Sequence, residues 1–130
     1  LDDAMAVLAP VRGEMLFWGA DERRSSGDVI EKTRALRYAG VGMRFLINEG
    51  DDFFMGKARE YRWLDKALFI DSDVKVIFGN TISYFVSWRG SLKIITIRDE
   101  HIANENRRIF EFFWSKARGP KTSSAAVFYE

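Results

Sequence analysis

Lys66, Asp71 and Asn80 of this 130-residue chain bring a cation, a carboxylate and an amide into one tract, a candidate set for a polar ligand. Four residues, Ala67, Leu68, Phe69 and Ile70, separate the cation from the carboxylate, and Asn80 follows a second apolar run at a Gly79-Asn80 turn. An ammonium, a carboxylate and an amide held together could orient an anion or another polar group. The competing reading is structural. Lys66 would then be a surface strand residue, Asp71 a turn former, and Asn80 the neighbour of a glycine that supplies a positive φ. Arg62 and Trp18 complete the candidate ligand-binding set. Trp18, like Trp63, Trp88 and Trp114, could stack on a sugar or a base, although core and interface packing is the commoner use of tryptophan.

Covalent and metal chemistry find little support in the residue types. The chain has one histidine, His101, and no cysteine, so thiolate metal sites and disulfides are excluded and no metal site is expected. Ser83, Ser87 and Ser91 lack a Gly-x-Ser-x-Gly elbow. Gly40-Val41-Gly42 lacks the third glycine of a dinucleotide fingerprint and follows a helix rather than a strand, so no cofactor is expected. Arg23-Arg24 and Arg107-Arg108 read as solvated faces. Glu49, Asp51 and Asp52 form an acidic cluster after a strand's carboxyl end, where α/β folds often bind ligands, with a polar loop as the simpler account.

With 47% hydrophobic and 30% charged residues, the chain suits a single globular domain, read here as residues 1–120 with a tail at 121–130. Its 11 Phe and 4 Trp could fill a core or cover an interface. A formal net charge of +1 does not suggest a free-standing nucleic-acid binder. No apolar run approaches the roughly 20 residues that span a bilayer, so no membrane partner is expected. The missing cysteines fit a reducing compartment, and the expected location is cytoplasmic. Leu1 in place of Met hints at an excised domain whose missing part lies upstream.

The elements that would position the candidates follow from hydropathy and turn chemistry. Residues 14–19 read as a buried strand between Gly13 and Gly19. Ser25, Ser26 and Asp28 offer N-cap chemistry for a helix carrying Val29, Ile30, Thr33 and Leu36, ended by Gly40 at the left-handed C′ position. A strand at 43–47 then implies a right-handed βαβ crossover. Residues 49–62 read as a loop with a helical turn. Strands follow at 67–70, 74–78, 82–88 and 92–98, joined by turns at Gly79-Asn80 and Arg89-Gly90-Ser91. Asp99 caps a final helix whose stripe is Ile102, Asn106, Ile109, Phe110, Phe113 and Ala117, widened by Phe112 and Trp114 and stopped at Gly119-Pro120. The fold class is α/β: a mixed sheet flanked by helices in the order β-α-β-(loop)-β-β-β-α.

Leu64, Lys66, Asp71 and Gly79-Asn80 together resemble the phospholipase D signature, HxKxxxxD followed by a Gly-Ser or Gly-Asn turn. Leu64 stands where that family places its phosphate-attacking histidine. The whole order resembles a phospholipase D-like half-domain. It is similar in particular to the effector domains that follow helix-turn-helix modules in TrmB-like transcriptional regulators. That likeness is carried by residues 57–62, Val76-Ile77-Phe78-Gly79-Asn80, residues 82–88, 94–99, Ile102-Ala103, and Phe110 with Trp114 in a Phe-x-x-x-Trp ending. The resemblance implies a sensor fold that has lost its hydrolytic residue, since Leu64 can neither attack phosphorus nor protonate a leaving group.

The expected function is therefore a non-catalytic, ligand-sensing effector and dimerisation domain of a transcriptional regulator. Its expected partners are a second copy and a small-molecule effector, with DNA reached only through a domain absent from this chain. A protein-interaction scaffold without a small-molecule site is the alternative, and a diverged phosphodiesterase the remote one.

Overall fold

A computed structural model describes residues 13–19, 27–54, 56–68, 73–120 and 126–127. Its elements are β1 (Glu14–Trp18), α1 (Gly27–Tyr38), β2 (Gly42–Asn48), β3 (Phe53–Phe54), β4 (Tyr61–Leu64), β5 (Asp73–Phe78), β6 (Thr81–Trp88), β7 (Ser91–Arg98), α2 (Glu100–Lys116) and β8 (Ala126–Val127), with 3₁₀ turns at Ala58–Glu60 and Lys66–Leu68. Six strands form one sheet in the order β4-β2-β1-β5-β6-β7. β4, β2 and β1 run parallel, while β5, β6 and β7 form an antiparallel meander joined to β1. The expected mixed α/β sheet and the parallel β1-α1-β2 unit are both present.

Both faces of the sheet carry apolar side chains, and this is why β1 reads as a continuous apolar run. Met15, Met43, Phe45, Tyr61, Val76 and Phe78 pack on one face with Leu36 of α1. Leu16, Leu46, Leu64, Ile77 and Ile82 pack on the other with Phe110 of α2.

On the first face, the parallel register sets Phe17 beside Phe45 and Phe45 beside Tyr61. Neighbouring strands lie roughly 4.8 Å apart, so in-register rings fall naturally into stacking distance. The centroids are 4.4 Å apart for Phe17–Phe45 and 4.6 Å for Phe45–Tyr61, and Phe54 extends the stack at 4.6 Å from Tyr61. Arg37 lies over Phe45 at 5.4 Å and reaches Glu60 at 3.2 Å.

Helix α1 ends as the placement of Gly40 predicts. Gly40 has φ +94°, its N–H donates to Arg37 O, and Val41 N donates to Leu36 O, the two bonds of a Schellman motif. The accompanying apolar contact joins Leu36 and Val41 in the same cluster. Ser25 and Ser26, expected as caps, lie outside the described residues. Asp99 caps α2 as expected, its side chain accepting from Ile102 N at 2.9 Å.

Several expectations are corrected. The loop at 49–62 contains β3, a 3₁₀ turn and the start of β4, an edge strand of the main sheet. This segment is short and broken by Gly50 and Gly56, so no period showed it; Tyr61 joins the sheet through the ring stack. No strand starts at Ala67. Asp65 ends β4 instead, its carboxylate accepting from Ala67 N at 3.0 Å and its carbonyl from Leu68 N at 2.9 Å, and this short-range bonding favours a turn. Residues 69 and 70, the rest of that expected strand, lie outside the described set. Helix α2 ends at Lys116, before Gly119-Pro120, because Ala117 is already extended and Trp63 N donates to Arg118 O at 2.8 Å. Ile109, expected on the buried stripe, is 41% exposed, and Ala103 takes a buried place instead. Within the expected tail, Ala126–Val127 pairs in parallel with β3.

Tyr61 also carries a polar duty. Its buried hydroxyl accepts from Gly56 N at 3.0 Å and from Arg37 at 3.4 Å. Tyr61→Phe keeps the ring stack but strands the buried Gly56 N–H, and the expected cost is about 1–3 kcal/mol. Urea unfolding would measure it; a change within about 0.5 kcal/mol would mean that the N–H finds another partner.

Candidate functional site

At the carboxyl ends of β2 and β4, a cleft of about 300 Å³ lies between the end of β4 and the last turn of α2. That volume is at the small end of ligand sites. Leu64, Leu68, Phe113 and Ala117 give it apolar walls, and Glu49, Asp65, Lys116 and Arg118 place charge around them. Arg118 is fixed from two sides: its carbonyl bonds to β4 at Trp63, and its guanidinium meets Glu49 at 3.0 Å. The Lys116 ammonium lies 5.9 Å from the ring of Phe112, which is itself 59% exposed. Such a cleft can take an apolar or aromatic body and hold polar groups at its mouth. Leu64, at the position where the resemblance places a histidine, is a buried wall residue of this cleft.

Among the described residues, Lys66 and Asn80 of the set singled out from the sequence do not come together. Lys66 is exposed on the 3₁₀ turn just past β4, at the carboxyl edge of the parallel strands. Asn80 is at the opposite edge, because β5 runs antiparallel to β1 and ends with Phe78 beside Met15. Asn80 there is a hairpin residue: its carbonyl accepts from Asp99 N at 2.9 Å and its side chain from Thr81 Oγ1 at 3.2 Å. Gly79 carries the positive φ of that turn. Asp71 lies outside the described residues. Arg62 donates to Trp114 O at 2.7 Å, with its guanidinium 4.6 Å from the Trp114 ring, so it ties β4 to α2. Trp18 packs edge-on against Phe113 at 5.0 Å, below the half-buried Lys75 ammonium at 4.9 Å. Of the cleft residues, Glu49 belonged to the acidic cluster flagged by its place after a strand, and Phe112 to the over-wide apolar face of α2. Lys116 and Arg118 carry in the sequence only the charge that suits the carboxyl end of a helix.

The same face holds a row of cations beneath α2. Arg44 on β2 reaches Glu14 on β1 at 2.7 Å and Glu111 on α2 at 2.6 Å, while lying 5.1 Å from the Trp114 ring. The hydrogen bond from Arg44 holds the Glu111 carboxyl below its ordinary value of 4.5, and Arg44 in turn is held above its own usual value, chiefly by its bond to Glu111. Burial holds the pKa of the Lys75 ammonium below its usual value, and the ammonium donates to Asn106 Oδ1 at 3.2 Å. Arg44 thus clamps two strands and a helix.

The site therefore belongs to an α/β domain: a half-parallel, half-antiparallel six-stranded sheet with a helix on each face and a cleft at the carboxyl edge. No protein-family model matches the sequence, and no curated protein matches it. A solved structure does share the fold. TrmBL2, an archaeal chromatin protein whose structure shows a novel mode of DNA binding, aligns with a TM-score of 0.60 at 11% identity. The alignment covers 91% of this chain and 49% of that one, so the chain spans about half the length of that protein. Among the described residues, no helix is long and apolar enough to cross a membrane.

The lowered Glu111 fixes the sign of an acid response. The unfolded chain binds this proton more readily than the folded one, so the stabilisation is fully present above about pH 4.5 and is lost as pH falls toward the folded value. Urea midpoints taken between about pH 6 and pH 3 should fall less steeply for Glu111→Gln than for the natural sequence. Parallel declines would show that the Arg44 clamp makes no contribution to acid sensitivity.

Proposed function

We propose that this chain is a non-catalytic regulatory domain, the effector and dimerisation part of a TrmB-like transcriptional regulator, built on a phospholipase D-like half-domain that has lost its hydrolytic histidine. The carrying observation is the shared fold with TrmBL2 over nearly the whole of this chain and half of that one. A domain of this size and near-neutral charge fits the part of such a protein that is distinct from its DNA-contacting module. The buried Leu64 supports the loss of chemistry, because an apolar side chain stands where the resemblance places the histidine. The cleft supports a small-molecule effector, since occupancy would press on α2 through Phe113 and on the segment after it through Arg118.

A protein-interaction module without a small-molecule site is the second reading. It draws on Ile109 and Phe112 of α2, which are 41% and 59% exposed.

Thermal shifts across a metabolite panel separate the two readings. The effector reading expects a ligand that raises the midpoint of the natural chain and has little effect on Phe112→Ala, whose exposed ring contributes little to the core. No shift with any metabolite, together with a strict monomer by light scattering, would overturn it. The non-catalytic reading expects no turnover of a generic phosphodiester; metal-independent turnover that vanishes in Lys66→Ala would overturn that part.

A further inference from the structure

We propose that the outer edge of β7 pairs antiparallel with β7 of a second copy, about a two-fold axis through Ile95, joining two six-stranded sheets into one. This deepens the dimer part of the preceding reading by assigning its surface.

β7 is the end strand of the main sheet, and among the described residues nothing pairs with its outer edge. Its pairing with β6 is regular and free of bulges, from Thr81↔Arg98 to Trp88↔Ser91. The two-residue Arg89-Gly90 turn has positive φ at both positions and makes Trp88↔Ser91 a hydrogen-bonded pair. Alternation then points Ser91, Lys93, Ile95 and Ile97 toward β6. Leu92, Ile94, Thr96 and Arg98 turn their backbone N–H and C=O groups outward.

Long apolar edges are normally blunted by proline, bulges or several lysines. This edge has no proline and a single lysine, Lys93, while Leu92 and Ile95 are 44% and 50% exposed. Two-fold pairing requires outward residues to face outward residues. Among such registers, only the one centred on Ile95 engages all of them, Leu92 with Arg98 and Ile94 with Thr96, giving about eight backbone hydrogen bonds. Charge agrees with that register. Lys93 falls opposite Ile97 and Arg98 opposite Leu92, so no like charges meet across the junction. Ile95 then meets its own copy in a non-hydrogen-bonded pair, where the side chains approach closest. A second copy of this chain is the occupant that this self-complementarity selects.

The chain has no cysteine, so a single introduced thiol reports the register directly. Light scattering of the natural chain over a concentration series should give twice the chain mass. Ile95→Cys should oxidise to a covalent dimer, because Cα atoms about 4.5 Å apart suit a disulfide. Leu92→Cys, which faces Arg98, should cross-link poorly. Ile95→Lys should weaken the dimer about tenfold or more while keeping the far-ultraviolet circular dichroism of the natural chain, and mixing it with Ile95→Glu should restore association. A dimer that ignores Ile95→Lys, or that fails to cross-link at Ile95→Cys, would overturn the β7 surface and leave the dimer reading standing. A strict monomer would overturn both.

Discussion

The match between strand spacing and ring-stacking distance is the constraint on which most of this structure depends. Because β1, β2 and β4 run parallel in register, Phe17, Phe45 and Tyr61 fall side by side and stack at 4.4 and 4.6 Å. The stack holds a four-residue strand, β4, at the sheet edge, where its length alone would give little stability. Placing β4 there seats Leu64 against Phe110 and sets Asp65 at the rim of the cleft. Loss of the stack would free β4, and the cleft would lose one wall. The candidate site is thus a consequence of core packing on the opposite face of the sheet.

Charge plays a complementary part. Arg44 and Arg62 extend from neighbouring strands beneath α2 and meet its aromatic residues, with Glu14 and Glu111 completing the Arg44 clamp. These cations are half-buried, and their long apolar stems and flat heads lie against rings as well as carboxylates. Helix α2 is therefore oriented by directional contacts as well as by Phe110 in the core. Its last turn is what a cleft ligand would touch, so a ligand signal would pass through an element held in a defined place.

How much was legible in the sequence varied with how local the physics was. The Gly40 helix end, the Asp99 cap, the two hairpin turns and the β5-β6-β7 meander were readable, because each rests on one or two residues and their φ preferences. β4 was not readable: its four residues are too few to show a period, and their placement depends on rings distant in sequence. The grouping of Lys66 with Asn80 failed for a topological reason. Strand direction, which linear spacing does not encode, put them at opposite edges of the sheet. Phe112 reads in the sequence as surplus apolar surface, and its part in a cleft depends on α2 lying beside the end of β4.

The sequence by itself determined the α/β class, the parallel unit around α1, the caps and turns, and the absence of a histidine at Leu64. Those features follow from backbone preferences, hydropathy and residue identity, all local quantities. The tertiary structure alone decided that Leu64 is a buried wall, that Arg62 and Trp18 contact α2, and that the open polar-rimmed space lies between β4 and α2. Each of these depends on which strands become neighbours and in which direction they run, and that is settled by the packing of both sheet faces at once.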